Sequence, residues 1–274
     1  MPSRLSKGKV GIVLPTDDAA LLARWWDAIF HRVSVRSFDP QPIPESFLHR
    51  LTKTIDLLQK AAPSARAVIL GDEPRDILRG AAYGLFVGAQ GYIALLGSPK
   101  EERIDQQIGY LGEGLVLEAT ALGLGTCWVG GMFRASKMAK KLASPGERVY
   151  AIIPLGYPAS RQGYGHRVLK GLARSKGRKD LATICPFFHQ APPWVKAGVE
   201  TARLAPSAMN RQPWRFTLQD DRVILTAAGI DTPFVSKKLD CGIALFHFEL
   251  GARHAGWEGH WEWLDAPRIA AFYP

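Results

Sequence analysis

The sequence predicts an α+β chain built from two related halves, and three observations carry that prediction. Helical and strand-like segments mix along the chain without the regular strand–helix alternation of a parallel α/β sheet. Two pairs of segments echo each other in the same order. The composition, 274 residues with 47% hydrophobic and 22% charged, is that of an ordinary globular chain, long enough for one large domain or two small ones.

From the start, Met1 to Lys9 is basic, but the apolar run after it, Val10 to Pro15, is too short for the core of a secretory signal, which needs about 7–15 residues. A cytoplasmic chain is expected. Pro44-Glu45 followed by Phe47, Leu48, Leu51, Ile55 and Leu58 reads as an amphipathic helix with proline in its first turn. The nearly apolar stretch from Gly84 to Gly97 carries Gln90 and spans 14 residues, short of the roughly 20 that cross a bilayer. It reads as buried core. Leu115, Val116, Ala119 and Leu122 form the apolar face of a core helix closed by Gly123-Leu124-Gly125. Val149 to Leu155 reads as a short buried strand ended by Gly156-Tyr157-Pro158. Arg215–Leu218 and Arg222–Thr226 flank Gln219-Asp220-Asp221 as a hairpin.

The echoes link these elements. Leu58–Leu70 (LQKAAPSARAVIL) and Ala202–Leu218 (ARLAPSAMNRQPWRFTL) share Ala-Pro-Ser, and Gly109–Gly125 matches Gly242–Gly259, each with a second glycine 14 residues after the first. Ser64 and Ser207 lie 143 positions apart, Gly109 and Gly242 133. Similar but unequal offsets predict an old duplication with a ten-residue change in length between the two landmarks.

Lys plus Arg number 35 against 25 Asp plus Glu, a net charge of +10, which favours anionic partners: nucleic acids, phosphorylated cofactors or acidic substrates. No acidic residue stands between Glu147 and Asp180, where Arg148, Arg161, Arg167, Lys170, Arg174, Lys176, Arg178 and Lys179 accumulate among glycines. The segment reads as a solvated linker, as a nucleic-acid groove, for which Tyr157 and Tyr164 offer few stacking aromatics, or as a clamp on a phosphate, with Arg178 and Lys179 best placed. Cys127, Cys185 and Cys241 are odd in number and far apart, against both a disulfide framework and a zinc site. His247, His254 and His260 lack metal-motif spacing. His31 reads as a surface or capping residue, Cys127 as packing and Glu118 as a paired structural carboxylate.

Three segments carry chemistry. In Arg32-Val33-Ser34-Val35-Arg36-Ser37-Phe38 two guanidinium groups and a hydroxyl occupy alternate positions, so an extended backbone aims Arg32, Ser34 and Arg36 to one side, where they suit a phosphate or form an exposed basic edge. GLGTCWVGGM, Gly123 to Met132, ends a helix in a glycine turn that lets another molecule approach the backbone. Trp128 interrupts any Gly-x-Gly-x-x-Gly pattern and no strand leads in, which disfavours a Rossmann site; a C-capping turn is the structural alternative. In Ala205-Pro206-Ser207-Ala208-Met209-Asn210-Arg211-Gln212-Pro213-Trp214 two prolines fix a loop while Ser207, Asn210 and Gln212 offer uncharged donors and acceptors, more than a plain turn supplies with partners. Trp128, Trp214 and Trp257 line an open face or simply pack.

With these motifs the chain resembles the nitroreductase family of flavin enzymes, in which Arg-x-Ser-x-Arg, Pro-Ser-x-x-Asn-x-Gln-Pro-Trp and Gly-Leu-Gly-x-x-Trp segments recur; the resemblance runs from about Ala28 to Trp261. It implies a nitroreductase-like α+β fold. The intact Pro-Ser loop stands only in the second half, and its usual place holds Ala62-Pro63-Ser64-Ala65-Arg66. That order resembles a tandem branch in which one chain folds as an intramolecular pseudo-dimer. The implied organisation is an N-terminal extension (1–22), a first half (23–160), a basic linker (161–190) and a shorter second half (191–274).

The resemblance implies FMN as cofactor, one per chain, because the second half has Pro192-Pro193-Trp194-Val195-Lys196 where a second arginine segment belongs. Arg32, Ser34 and Arg36 are implied at the phosphate and ribitol end, with Arg178 or Lys179 as a further phosphate contact; Val33 replaces a basic residue common there. Gly130 and Gly131 are implied at flavin N5 and O4, and Ser207 and Asn210 at the isoalloxazine edge. The implied activity is hydride transfer from NAD(P)H through the flavin to a small acceptor, aromatic, quinone or nitro, without a dedicated acid or base. A flavin binder without turnover and a basic nucleic-acid-binding protein are the alternatives. The expected partners are NAD(P)H and the acceptor, with no membrane and a monomeric chain.

Overall fold

A computed structural model describes residues 11–71, 86–131, 141–159 and 177–274. The first half runs α1 (Ala19–His31), α2 (Glu45–Leu58), β1 (Ala65–Leu70), β2 (Gly91–Gly97), α3 (Ile104–Ala121), β3 (Gly125–Thr126) and β4 (Arg148–Gly156). The second runs α4 (Leu181–Ile184), α5 (Pro193–Leu204), β5 (Trp214–Gln219), β6 (Arg222–Ala227), α6 (Lys237–His254), β7 (His260–Trp263) and β8 (Arg268–Tyr273). Mixed helices and antiparallel sheets make the fold α+β, as the unalternating pattern predicts.

Each half builds one four-stranded sheet, and the strand order is the same in both: β1-β2-β4-β3 and β5-β6-β8-β7. Both sheets carry an irregularity at the same place, between Leu95 and Leu96 in the β2–β4 pair and between Leu225 and Thr226 in the β6–β8 pair. Helices α3 and α6 are each 18 residues long and almost wholly buried. They cross where the echoing glycines stand. A Cβ on Gly109 would overlap the carbonyl oxygen of Leu239, and one on Gly242 would overlap that of Gln106. Adding the 133-residue offset turns one contact into the other, so the crossing is reciprocal, as in an isologous interface.

The helix ends obey local rules. Asp18 caps α1 by accepting from the backbone N–H groups of Ala20 and Leu21 at 2.9 and 3.1 Å, and Ser236 caps α6 through the N–H of Lys238. Helix α3 ends at the predicted glycine, where Gly123 has φ +78° and Leu124 donates back to Ala119. Pro44 sits just outside α2, as its cap and not in its first turn. Asp220 and Asp221, at φ 47° and 62°, form the two-residue turn of the β5–β6 hairpin, a primed turn whose twist matches the strands. Of the Gly84–Gly97 stretch, 91–97 is the fully buried β2, while Val87 is exposed and residues 84 and 85 lie outside the described residues.

The core is continuous through both halves. Trp194, Phe248, Trp261 and Phe272 pack edge-to-face in the second half, each burying about 1.5–3 kcal/mol worth of apolar surface. The start of the chain joins that half: Ile12 pairs with Trp261, and Leu14 N–H donates to Glu249 at 2.7 Å. Helix α1 already begins at Ala19, inside the expected 1–22 extension. The expected 161–190 linker lies outside the described residues up to 176, but its end is folded core, with Ile184, Cys185 and Phe188 buried. Two apolar side chains per turn drive that segment inward, against the basic character of the residues before it. Among the described residues, no helix is long and apolar enough to cross a membrane.

Candidate active site

Residues Ser34 to Phe38 follow α1 and run along β3, making isolated bridges to Thr126, Val87 and Pro158. Ser34 pairs with Thr126 in parallel, Val35 N–H donates to Thr126 at 2.8 Å, and Ser37 pairs with Val87. The close approach needs Gly125, where a Cβ would meet the Val35 side chain. Strict alternation does not hold, since Val33 is exposed and Val35 buried, but Arg36, Ser34 and Arg32 all lie near Cys127. Burial pushes the Cys127 thiol up, and these three groups pull it back only in part. The thiol is a packing group, as its sequence surroundings suggested.

Arg32 is the C-cap of α1. Its Nε is buried and makes no hydrogen bond among the described residues; Glu113 Oε1 is 4.0 Å away. Arg178 approaches from the end of the basic linker, just before α4. Burial pushes its guanidinium down to about 10; Arg32 and Arg203 push the same way, and Glu113 opposes them. Two guanidinium groups, one at the end of α1 and one at the end of the linker, thus lie in the field of one buried carboxylate. That carboxylate is already engaged. Glu113 Oε1 lies 2.8 Å from His247 Nε2, and Oε2 accepts from Trp128 Nε1 at 2.8 Å. His247 Nδ1 lies 3.0 Å from the carbonyl oxygen of Thr201. The cluster therefore holds more positive charge than its own carboxylate balances, at the seam between the halves.

The Pro-Ser loop stands next to it. Arg178 donates to the carbonyls of Ala205 and Leu204 at 2.7 and 2.8 Å, closing the C-terminus of α5, and reaches Asn210 Oδ1 at 3.5 Å. Arg32 and Asn210 are thus joined to one neighbourhood through Arg178. The loop's polar groups find partners inside the chain, contrary to the expectation that a turn would leave them wanting. Gln212, buried, accepts from Lys179 N–H and donates to Gly177 and Asn210. Ser207 Oγ accepts from Gln212 N–H, and Asn210 Nδ2 donates to Gly177. The backbone of 177–179 supplies those partners from across the loop, a pairing that no local pattern reveals. Met209, Asn210 and Gln212 all have positive φ, a strained loop held by these bonds.

Arg178 and Lys179 diverge. Lys179 Nζ donates to Gln212 O at 3.1 Å and faces Arg215, away from the Arg32 cluster. Gly130 and Gly131 lie against the second half: a Cβ on Gly130 would strike Val235, and one on Gly131 would strike Phe234. Met132, the last residue of the glycine turn motif, lies outside the described residues.

The remaining expectations resolve as packing. Trp214 is fully buried, and Trp257 stacks on Trp194. Glu118 accepts from Trp25 Nε1 at 2.7 Å and from Arg50. His31 is exposed beside Asp27, His254 stacks on Trp26 and His260 on Tyr273. Sequence reasoning passed over Glu113, Arg203 and the Phe234-Val235 cover, and weighed His247 only as a metal ligand. Only Glu113 carried a signal, a carboxylate in an otherwise apolar helix face.

The donor set fits the anionic end of a phosphorylated cofactor. The unpartnered buried Arg32 Nε, with Arg178 and Arg36 in the same field, lacks an anion. At the ring end the fit rests on Asn210 and the glycine turn; Gln212 is saturated and contributes only to holding the loop.

The chain matches the family profile described as "Putative TM nitroreductase" over residues 25–252. A crystal structure of a putative nitroreductase from Thermotoga maritima is 24% identical, with a TM-score of 0.61, covering 90% of this chain and 92% of that one. A nitroreductase family protein from Clostridium novyi is 22% identical, with a TM-score of 0.43, over 50% of this chain and 86% of its own. A nitroreductase with bound FMN from Desulfitobacterium hafniense is 19% identical, with a TM-score of 0.44, over 51% and 91%. No curated protein matches the chain. With the profile spanning most of its length, the chain belongs to the nitroreductase family.

Proposed function

We propose that the protein is an FMN-dependent oxidoreductase that passes electrons from NAD(P)H to a small aromatic, quinone or nitro acceptor. The observation that supports this reading is that Arg32, at the end of α1 with a buried Nε that has no hydrogen-bond partner among the described residues, and the part-buried Arg178 of the linker end lie in the field of one buried carboxylate, Glu113. Arg32, Ser34, Arg36 and Arg178 would hold the phosphate and ribitol, Gly130 and Gly131 would face the reactive edge with backbone N–H groups, and Ser207 and Asn210 would border the ring. When bound, FMN supplies the centre that accepts hydride from the nicotinamide.

The chain's own residues do the rest. Glu113, held by His247 and Trp128, keeps Arg32 oriented toward the seam and keeps its charge from dispersing. Phe234 and Val235 exclude water from one side of the glycine turn. Fixed N–H donors at such a turn stabilise negative charge that develops beside them.

The same reading makes the chain an internal duplication folded like a dimer, with halves near 23–160 and 191–274. It is supported by the shared strand order, the matched 18-residue helices and the reciprocal glycine crossing. The segment corresponding to Arg32–Phe38 is missing from the second half, where Trp194 is buried in α5, so one FMN per chain is expected.

Flavin titration of the purified chain tests this. One FMN bound, weakened about tenfold by Arg32→Gln and bleached by NADH or NADPH in a stopped-flow cell, is the expected result. A stoichiometry of two removes the composite site; binding without bleaching leaves a flavin carrier; no uptake removes the proposal.

A further inference from the structure

Beside the Pro-Ser loop, on the side Lys179 faces, lies a cleft of about 380 Å³ that the flavin reading does not use. Lys179, Arg211 and Arg215 line it with Pro213, Ile230 and Asp231. Its charges are unbalanced. Among the described residues, Lys179 Nζ and Arg215 donate only to carbonyls of the loop, those of Gln212 and Trp214. Arg211 spends its Nε on Asp240 at 2.6 Å but turns Nη1 and Nη2 to the carbonyls of Ile230 and Val235. Asp231 is occupied in accepting from Lys237 N–H at the start of α6. Burial lowers Lys179 and Arg215, and the two cations face each other. Lys179 and Arg215, with no carboxylate partner among the described residues, stand beside the ion-paired Arg211 and walls of proline and isoleucine, and form an anion site with an apolar flank.

We propose that this cleft binds the phosphate groups of a nucleotide-class ligand, at a site separate from the one assigned to FMN. Its volume falls in the range of small-ligand pockets, and its apolar wall offers a surface for a base or sugar. If the flavin reading holds, the adenosine diphosphate part of the nicotinamide dinucleotide is the ligand of this chemistry; that identification, though not the anion site, rests on that reading.

The test uses the full chain and isothermal titration with ADP, inorganic pyrophosphate and adenosine. ADP and pyrophosphate bind one per chain, adenosine does not, and saturating FMN leaves both unchanged. Tighter binding of ADP than of pyrophosphate identifies a nucleotide as ligand, the reverse an inorganic phosphate; both support the anion site. Lys179→Gln weakens binding about fivefold, the effect of one charge pair in partly screened surroundings. Because Lys179 also holds the loop, Ile230→Glu is the cleaner variant: Ile230 is 86% exposed, its side chain makes no hydrogen bond, and a carboxylate at the cleft mouth weakens binding while Ile230→Gln does not. No binding of ADP or pyrophosphate, equal binding by Ile230→Glu, or displacement by FMN overturns the proposal. Flavin uptake, measured separately, fails or succeeds independently.

Discussion

The two Ala-Pro-Ser turns are anchored to corresponding positions of α3 and α6 by different chemistry. In the first half the turn runs straight into β1, and Ser64 N–H donates to the side-chain oxygen of Gln107 at 2.8 Å. In the second half the turn is followed by a longer loop before β5, and Ala208 N–H donates to Asp240 while Arg211 closes an ion pair on it at 2.6 Å. Gln107 and Asp240 lie 133 positions apart, the helix offset itself. A neutral acceptor suffices where the turn brings no cation. Where the loop brings Arg211 into the interior, the anchor must be a carboxylate, since either charge left alone there is costly. The longer loop is also the one that borders both the guanidinium cluster and the cationic cleft.

The comparison breaks most visibly if the two anchors are cut. Asp240→Ala strands Arg211 and is expected to destabilise by about 3–5 kcal/mol, whereas Gln107→Ala removes one neutral hydrogen bond and costs about 1–2 kcal/mol; urea unfolding distinguishes the two. Equal losses would mean that the anchors are not chemically different.

The helix crossing is sharpened next. Gly109→Ala and Gly242→Ala each insert a methyl against a carbonyl, with an expected cost of about 2–3 kcal/mol apiece. Nearly equal shifts in the denaturation midpoint are the signature of a reciprocal contact, and a large difference removes it.

A smaller effect comes from pH. Burial pushes Asp240 up to about 6 and Glu249 up to about 7, offset in part by Arg211 for the first and by the Leu14 N–H and Tyr110 for the second. Both folded values lie above those of the unfolded chain, so the folded state binds more protons. Their stabilisation is present in full only below the unfolded values of 3.8 and 4.5 and is lost progressively as pH rises, completely once it has passed about 6 for Asp240 and about 7 for Glu249. Calorimetric midpoints therefore fall between pH 5 and 7, and Glu249→Gln flattens the upper part of that slope. Glu147, held low chiefly by its Arg66 hydrogen bond, contributes the opposite trend only in more acidic solution.

The smallest effect is at the β5–β6 turn. Replacing Asp220-Asp221 by Asn-Gly suits two positive φ values better and is expected to raise stability by about 0.4–1 kcal/mol. The first half, whose β1–β2 connection is long, offers no equivalent gain.

Most of the fold is legible in particular residues. Leu115, Val116, Ala119 and Gly123 announce α3 and its end, and the Gly109–Gly242 echo announces the crossing, because a glycine kept at one place in two helices signals close backbone approach. The candidate site is legible in part. Arg32, Ser34 and Arg36, at alternate positions of the sequence, all lie near Cys127. The fate of Gln212 was hidden, since its partners come from residues 177–179, some 33 positions away. So was the divergence of Arg178 and Lys179, adjacent in sequence and pointed at different neighbourhoods.

Sequence alone located helices α2 and α3, strand β4 and the β5–β6 hairpin, displayed two echoing pairs of segments, and named residues that could offer charge or hydrogen bonds, because periodicity, turn chemistry and side-chain type are local properties. Only the tertiary structure decided which charges meet. Glu113 gains His247 from α6 and feels Arg178 from the described end of the linker because burying two long helices against each other brings distant groups into a low-dielectric seam. There, unlike in solvent, an unpaired N–H or an uncompensated cation has a large free-energy consequence, and that consequence makes the seam and the neighbouring cleft the places to look for ligands.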